Sequence, residues 1–296
     1  MQLSDRVGFV GLGRMGEPMA ARLCASGFRL RVLDRRPEVA SAFAEAHGAE
    51  AAASLDDLAA GVDVLVTMLP DDEAVRAVMK LAGGHLRAGS LAIDMGSSSP
   101  SLTMALADEF AARGIGYVDA PVMGGVVFAR DGSLDVMAGG RDADVQRGMP
   151  LLAALGRQVL RCAGPGSGHA LKALGNFVNA AALAAMLEAM TIGRTCGMSS
   201  EFLADAFAKM CTGRQHPLEK KVVPHVLTGR FATGMQMSLI AKDVSIAAGL
   251  ARDRGAPSPM ASETARLWRE ASARFGPGAD QTEIARWWTD PTGVQL

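Results

Sequence analysis

Short runs of β-branched and aliphatic residues alternate with helical patterns along the first half of the chain. Apolar residues recur at helical spacing in MAARLCAS and PEVASAFAEA, which separate the early strand-like runs. The strand-like runs are RVGFVG, LRVLD, DVLVTML, SLAIDMG, GYVDAPV, SLDVMAGG and GRQVLRCAG. Such alternation is typical of βαβ units, in which helices cover both faces of a parallel sheet. The pattern therefore predicts a doubly wound α/β domain, a Rossmann domain if it binds a dinucleotide.

After about Gly164 the strand signals stop and long helical patterns take over. The predicted helices are Ala170 to about Arg194, Glu201 to Met210, Ser238 to Arg254, and Met260 to Phe275. A glycine-rich turn, CAGPGSG, separates the two kinds of pattern. We therefore predict a dinucleotide-binding domain over residues 1–164 and an all-helical domain over residues 165–296, entered by a long helix.

Composition narrows the class of protein. The chain has 296 residues and is 49% hydrophobic, which is enough for two moderate cores. Thirty basic residues against 31 acidic ones give a net charge of -1, so no strong field attracts nucleic acid or an anionic membrane. We expect small molecules and copies of the chain itself as partners.

The cysteines and the apolar segments indicate the cellular compartment in which we expect the protein. Cys24, Cys162, Cys196 and Cys211 have no metal-site spacing, so we expect reduced cysteines in a cytoplasmic protein and no metal. The N-terminus runs directly into a strand pattern, which predicts no signal peptide. The longest apolar stretch, 180–187, is shorter than the roughly 20 residues that span a bilayer, so we expect no membrane segment.

A glycine turn follows the first predicted strand. Gly11, Gly13 and Gly16 form a GxGxxG pattern that opens a helix. In dinucleotide sites the first glycine permits the turn, the second lets the backbone approach a pyrophosphate, and the third lets helix and strand pack closely. The amides and the helix dipole then face the anion. The predicted cofactor loop is Gly11, Leu12, Gly13, Arg14, Met15 and Gly16.

The end of the second strand bears on the choice of cofactor. Asp34 lies where a carboxylate accepts the ribose hydroxyls of NAD and repels a 2′-phosphate. Arg35 and Arg36 follow, and guanidinium groups suit the 2′-phosphate of NADP unless they are merely solvated. We expect NAD as the cofactor, with NADP as the alternative.

The ends of later strands supply further candidate cofactor-binding residues. Leu69 and Pro70 end one apolar run and Ser97 follows another, which places them at the carboxyl edge of the sheet, where ligands of open α/β folds bind. Pro70 has an alternative role as a strand terminator. Ser97 has one as a helix cap.

The long helix begins with a polar stripe. His169, Lys172, Asn176 and Asn179 are spaced by three, four and three residues and share one helix face. The stripe either faces solvent or lines a cleft between the domains, where ligand sites concentrate. In a cleft, burial and the helix dipole would lower the pKa of Lys172 towards the working pH, which suits a general acid or base.

Four blocks together resemble the β-hydroxyacid dehydrogenase family, which includes 3-hydroxyisobutyrate dehydrogenase and tartronate semialdehyde reductase. The blocks are FVGLGRMGEPMAARL, DAPVMGGVVFARDGSLDVMAGG, GSGHALKALGN and LIAKDVSIA. The resemblance implies a Rossmann domain, an all-helical domain through which homodimers or homotetramers form, and interconversion of a β-hydroxy acid and its semialdehyde with NAD or NADP.

The resemblance also implies roles for individual residues. Lys172 matches the catalytic lysine, and Asn176 matches the asparagine that orients the substrate. Gly124 and Gly125 match a backbone pair that holds the substrate carboxylate. Lys242 and Asp243 match the KD motif, where Lys242 reaches the cofactor and Asp243 belongs to the substrate site.

Three positions depart from the family pattern. Met123 replaces a serine and cannot donate a hydrogen bond to a carboxylate. Gly96 stands where a serine is common, and Gly175 where an asparagine is common. Arg214 is a candidate replacement donor for an acidic substrate, unless its loop is simply surface.

Other functions remain open on the sequence alone. They are reduction of a short aldehyde of the glyoxylate or succinic semialdehyde type, reduction of an imine, and binding of a dinucleotide without catalysis. Lys172 and Asn176 argue against the non-catalytic alternative, and imine reductases typically lack lysine at this position.

Overall fold

The structure, a computed structural model, describes residues 6–213 and 216–296. It contains two compact units, Met1–Phe177 and Val178–Leu296. The division lies inside the longest helix, α8 (Ser167–Thr195), whereas the sequence places it at residue 164, before that helix begins. The boundary at residue 164 stays a prediction.

The first unit contains the strands. They are β1 (Val7–Val10), β2 (Leu30–Leu33), β3 (Glu50–Ala51), β4 (Val64–Thr67), β5 (Leu91–Asp94), β6 (Gly116–Asp119), β7 (Val122–Met123), β8 (Leu134–Gly140) and β9 (Gly156–Arg161). Their order in the sheet is β3-β2-β1-β4-β5-β6-β8-β7, and β9 pairs with β8. The strands from β3 to β6 are parallel, while β8 runs antiparallel to β6 and β7. The predicted α/β class is confirmed, with an antiparallel extension that the alternating pattern did not predict.

Helices cover both faces of this sheet. They are α1 (Gly16–Ala25), α2 (Pro37–His47), α3 (Leu55–Ala60), α4 (Asp72–His85), α5 (Pro100–Ala111), α6 (Val126–Asp131) and α7 (Asp142–Leu155). Val64 and Val66 of β4 belong to one apolar cluster, and Leu65 between them belongs to the other. Each such side chain, once buried, contributes about 1.5–3 kcal/mol. Burial on both faces explains why the strands read as continuous apolar runs.

The second unit is helical in its described part. After the end of α8 it contains α9 (Ser200–Cys211), a π-helix (Leu218–Val226), α10 (Met237–Asp253), α11 (Pro259–Phe275), a 3₁₀ helix (Gln281–Ala285) and α12 (Arg286–Thr292). The helical patterns of the sequence correspond to α8, α9, α10 and α11. The π-helix was not predicted, and Pro224 lies inside it.

Helix α8 is long and apolar enough, by length and composition, to cross a membrane. The core helix of a soluble protein meets the same two criteria. Its first turn packs on the sheet, where His169 is almost fully buried. This finding does not test the prediction that the chain has no membrane segment.

Candidate active site

The glycine turn after β1 is shaped by close backbone approaches. Gly11 has a φ of +98°, and a Cβ there would collide with the carbonyl oxygen of Met68. A Cβ on Gly16 would overlap the carbonyl oxygen of Gly11. A Cβ on Gly13 would meet nothing within 4 Å, so space is open beside this backbone. The turn therefore needs glycine at two positions for packing and leaves the third accessible to a ligand.

A cavity of about 610 Å³ lies over this turn. It opens where β1 is flanked by β2 on one side and β4 on the other, the point at which strand order reverses and α/β sheets bind ligands. The predicted cofactor residues that line it are Gly11, Gly13, Arg14, Met15, Gly16, Asp34, Arg35, Leu69 and Pro70. Arg36, which the sequence offered for the 2′-phosphate of NADP, lines it as well. The lining residues for which the sequence predicted no role are Val10, Leu33, Met68, Ala74, Ala77 and Val78.

Asp34 is fixed by the backbone around it. One carboxylate oxygen accepts the Leu12 amide at 2.9 Å, and the other accepts the Arg36 amide at 3.0 Å. Burial opposes ionisation, but these amides and the Arg36 guanidinium outweigh it and lower the pKa of Asp34. Leu12 itself is buried beneath the turn and does not line the cavity. Asp34 is therefore a charged, oriented acceptor at the cavity wall.

The ends of β4 and β5 are joined by a buried polar network. Asp94 accepts hydrogen bonds from Thr67 Oγ1 at 3.1 Å and from Ser98 Oγ at 2.6 Å. Ser97 is exposed and does not line the cavity, so its position beside the nicotinamide stays a prediction. A Cβ on Gly96 would lie 2.9 Å from the Leu69 carbonyl oxygen, which gives a steric reason for glycine there.

The first turn of α8 is anchored to the end of β6. Asp119 accepts the amides of Gly166 and His169, both at 2.9 Å. His169 Nδ1 lies 2.8 Å from Thr103 Oγ1, and its Nε2 lies 3.8 Å from Asp94. The sequence placed His169 on a stripe with Lys172, but gave no sign that distant strands would bury it. Asp94 and Asp119 each end an apolar run, which is the one signal that could have found this anchor.

Lys172 lies one turn further along α8. Its Nζ donates a hydrogen bond to the carbonyl oxygen of Val122, the first residue of β7. Burial lowers the pKa of Lys172 from its usual 10.5. Asn176, one turn on, is exposed, as is Asn179. Lys172 and Asn176 thus present an ammonium and an amide on one helix face.

The segment after β6 lies beside this face. Met123 ends β7, and its methyl group contacts α8 at Gly175. Gly124 and Gly125 follow and are exposed, and a Cβ on Gly125 would meet nothing within 4 Å. Open backbone therefore lies next to the lysine, although contact between the two glycines and a substrate carboxylate stays a prediction.

The remaining predicted residues belong to the second unit. Lys242 and Asp243 lie on α10, are both exposed, and approach each other to 3.5 Å. Arg214 lies outside the described residues. Their roles toward cofactor and substrate stay predictions. Within residues 6–213 and 216–296, no group of three or more His, Cys, Asp and Glu side chains could hold a metal ion.

Two family models match consecutive parts of the chain. Residues 6–164 match the NAD-binding domain of 6-phosphogluconate dehydrogenase, and residues 166–288 match the NAD-binding model of NADP-dependent 3-hydroxyisobutyrate dehydrogenase. The 2-(hydroxymethyl)glutarate dehydrogenase of Eubacterium barkeri is 33% identical, over 100% of this chain and 99% of that protein. The matches therefore extend over both units.

Solved structures also match nearly the whole length of this chain. A Mycobacterium tuberculosis 3-hydroxyisobutyrate dehydrogenase solved with L-serine is 28% identical, with a TM-score of 0.68, covering 96% of this chain and 98% of that one. An imine reductase variant from Myxococcus stipitatus solved with NAD⁺ has a TM-score of 0.83, covering 96% and 99%. Its identity of 22% means that this second likeness shows the fold alone.

Proposed function

The chain belongs to the β-hydroxyacid dehydrogenase family and is an NAD(P)-dependent oxidoreductase of β-hydroxy acids, and we propose that Lys172 is the general acid and base of its reaction. One observation carries the proposal. Lys172 is half-buried, its ammonium is held by the Val122 carbonyl, and its pKa is lowered by burial. A proton-transfer group works best with a pKa near the working pH.

The glycine turn fits a dinucleotide. Gly13 leaves its backbone open to a pyrophosphate, and the N-terminus of α1 offers amides to the anion. A nicotinamide cofactor bound there would supply hydride transfer between a carbinol carbon and a carbonyl carbon. Arg14 and Arg35 add positive charge to the cavity that would take the phosphates.

In this proposal Lys172 accepts and donates the proton of the reaction. In the oxidative direction the neutral amine takes the proton from the substrate hydroxyl oxygen as the hydride leaves the carbon that bears this hydroxyl. In the reductive direction the ammonium returns that proton to the developing alkoxide. Asn176 orients the hydroxyl from one turn away, and the open backbone at Gly124 and Gly125 offers amides to the carboxylate.

Asp34 favours NAD over NADP, because its fixed carboxylate accepts ribose hydroxyls and repels a 2′-phosphate. We expect Asp34→Ser to raise the ratio of kcat/KM with NADP⁺ to that with NAD⁺ by about tenfold or more, since Arg35 and Arg36 stay in place. Glu38→Ser on α2 is the matched control, because it removes an acidic residue outside the cavity lining. A wild-type preference for NADP⁺ would contradict this role.

A substrate panel tests the function as a whole. We expect turnover with NAD⁺ and short β-hydroxy acids, and the reverse reaction with their semialdehydes and NADH. Glyoxylate, succinic semialdehyde and a cyclic imine belong in the same panel. Turnover of the imine alone would indicate that the enzyme is an imine reductase. Cofactor binding without any turnover would favour a non-catalytic role.

We further propose that the protein is a cytoplasmic homo-oligomer whose partners are small acidic substrates rather than nucleic acid or membrane. The net charge of -1 supports the absence of nucleic acid. Large apolar side chains exposed on the second unit, such as Leu183 and Ile246, support association of copies of the chain.

A further inference from the structure

Met123 and Gly175 form a contact that no family role explains. A Cβ placed on Gly175 would lie 3.2 Å from the terminal methyl of Met123. That distance is closer than ordinary van der Waals contact, so the methionine fills the space that a side chain at residue 175 would occupy. The two residues thus form one wall, made of a thioether methyl group on bare helix backbone.

This wall flanks the two polar groups of the proposed active site. Lys172, Gly175 and Asn176 are related as i, i+3 and i+4, so they are neighbours on one face of α8. A substrate hydroxyl shared by Lys172 and Asn176 would therefore lie next to Gly175. The Met123 methyl borders the same place, because Val122, the residue before it, accepts the hydrogen bond of Lys172.

The chemistry of the wall is apolar. A thioether donates no hydrogen bond and accepts only weakly, and residue 175 has no side chain to add a donor. An ammonium or hydroxyl on the substrate would lose water there without a partner, which is unfavourable. An alkyl group would gain dispersion contacts instead.

We propose, resting on the function proposed above, that Met123 seated on Gly175 is a specificity-determining residue. It selects β-hydroxy acids that carry an alkyl substituent on the carbon next to the carbinol, and it disfavours those that carry an amino group there. 3-Hydroxyisobutyrate and L-serine form a matched pair of probes, because they differ at that carbon by a methyl group against an ammonium group. 2-(Hydroxymethyl)glutarate carries a longer substituent at that carbon, a carboxyethyl group in which two methylene groups precede a second carboxylate.

The test compares kcat/KM with NAD⁺ for the two probes in the full-length protein. We expect wild type to favour 3-hydroxyisobutyrate by about tenfold to a hundredfold, the range for one group in an apolar pocket. Met123→Ser should reduce that ratio at least tenfold. Met123→Leu, which is apolar and of similar size, should keep it within about threefold.

Substitution of Gly175 provides a second, independent test of the proposal. Gly175→Ala should force the Met123 methyl to shift by a few tenths of an ångström and lower kcat/KM for 3-hydroxyisobutyrate about threefold. In Met123→Ser the shorter side chain no longer reaches residue 175, so adding Gly175→Ala should have no further effect. Such non-additivity is expected only when the two residues are in contact.

The outcomes separate the two proposals. Turnover of none of the three acids, with NADH binding intact, would overturn the proposed function and this inference with it. Turnover of 3-hydroxyisobutyrate or 2-(hydroxymethyl)glutarate, with the preference over serine unchanged in Met123→Ser, would overturn the specificity role alone. A wild-type preference for L-serine would do the same. Should Met123→Ser not fold, additive effects of Met123→Leu and Gly175→Ala would overturn the inference, since substitutions at two residues in contact should not act independently.

Discussion

The two units of the chain bury apolar side chains in different ways. In the first, large residues such as Phe9, Leu23 and Leu65 are completely inaccessible to solvent. In the described part of the second, Phe202 and Met210 are 58% and 68% exposed. An apolar cavity of about 460 Å³ also lies among helices α8, α9, α10 and α11. The first unit therefore has a fully buried core, whereas the helices of the second expose large apolar side chains, which fits the association of copies proposed above.

A charged substitution on the exposed face of α8 should disrupt the proposed association of copies of the chain. Leu187 of α8 is 55% exposed in the second unit, and Leu81 of α4 is 49% exposed in the first. Leu187→Asp would bury an unpaired carboxylate between copies, which costs about 3 kcal/mol and raises the dissociation constant over a hundredfold. Analytical ultracentrifugation should show smaller species for Leu187→Asp and an unchanged oligomer for Leu81→Asp. An oligomer that survives Leu187→Asp would contradict a role for this surface.

An intermediate effect comes from the glycine turn of the first unit. Gly16→Ala forces a methyl group into the Gly11 carbonyl, which should lower the free energy of unfolding by about 1–3 kcal/mol. Gly13→Ala meets no atom, so it should keep that stability and instead weaken NADH binding about tenfold. Urea unfolding and NADH fluorescence titration measure the two quantities. Equal losses of stability in both variants would refute the assigned roles.

A smaller effect on stability is expected at Asp280, a hydrogen-bonded carboxylate in the second unit. Burial opposes ionisation of Asp280, but hydrogen bonds from Thr282 and Thr233 outweigh it and lower its pKa to about 2 from 3.8. Because the folded pKa is depressed, its stabilisation is present above pH 3.8 and is lost as pH falls towards 2. After allowance for partial exposure, Asp280→Asn should cost about 1 kcal/mol at pH 7.

Unfolding measured between pH 2 and pH 7 checks this expectation. The difference between wild type and Asp280→Asn should shrink as the carboxylate becomes protonated. Asp253→Asn, at an exposed carboxylate beside Arg252, should have no comparable effect. A constant difference across that pH range would rule out the ionised carboxylate as its source.

The contrast between the units also explains what the sequence could reveal. Buried strands and the Gly11 to Gly16 turn were predictable because their signals are local runs and fixed spacings. The burial of His169 was not, because Thr103, Asp94 and Asp119 come from three separate elements. The contact of Met123 with Gly175 likewise depends on how β7 approaches α8. Both missed features lie beside Lys172, whose neighbours are distant in sequence.

Helices of the second unit were predictable from apolar periodicity, but the π-helix Leu218–Val226 was not. Its i to i+5 hydrogen bonding has no periodic signal of its own, and Pro224 normally argues against a continuous helix. Arg214, the predicted replacement donor, lies outside the described residues and stays a prediction.

In the dehydrogenase reaction proposed above, Lys172 transfers the proton. In the oxidative direction the neutral amine is active, so kcat/KM should rise as pH increases through the lysine pKa, which burial places below 10.5. Lys172→Ala should bind NADH as wild type does, lose about 10² to 10⁴ in turnover, and show no such rise. Turnover within threefold of wild type, or an unchanged pH profile, would show that Lys172 is not the general acid and base.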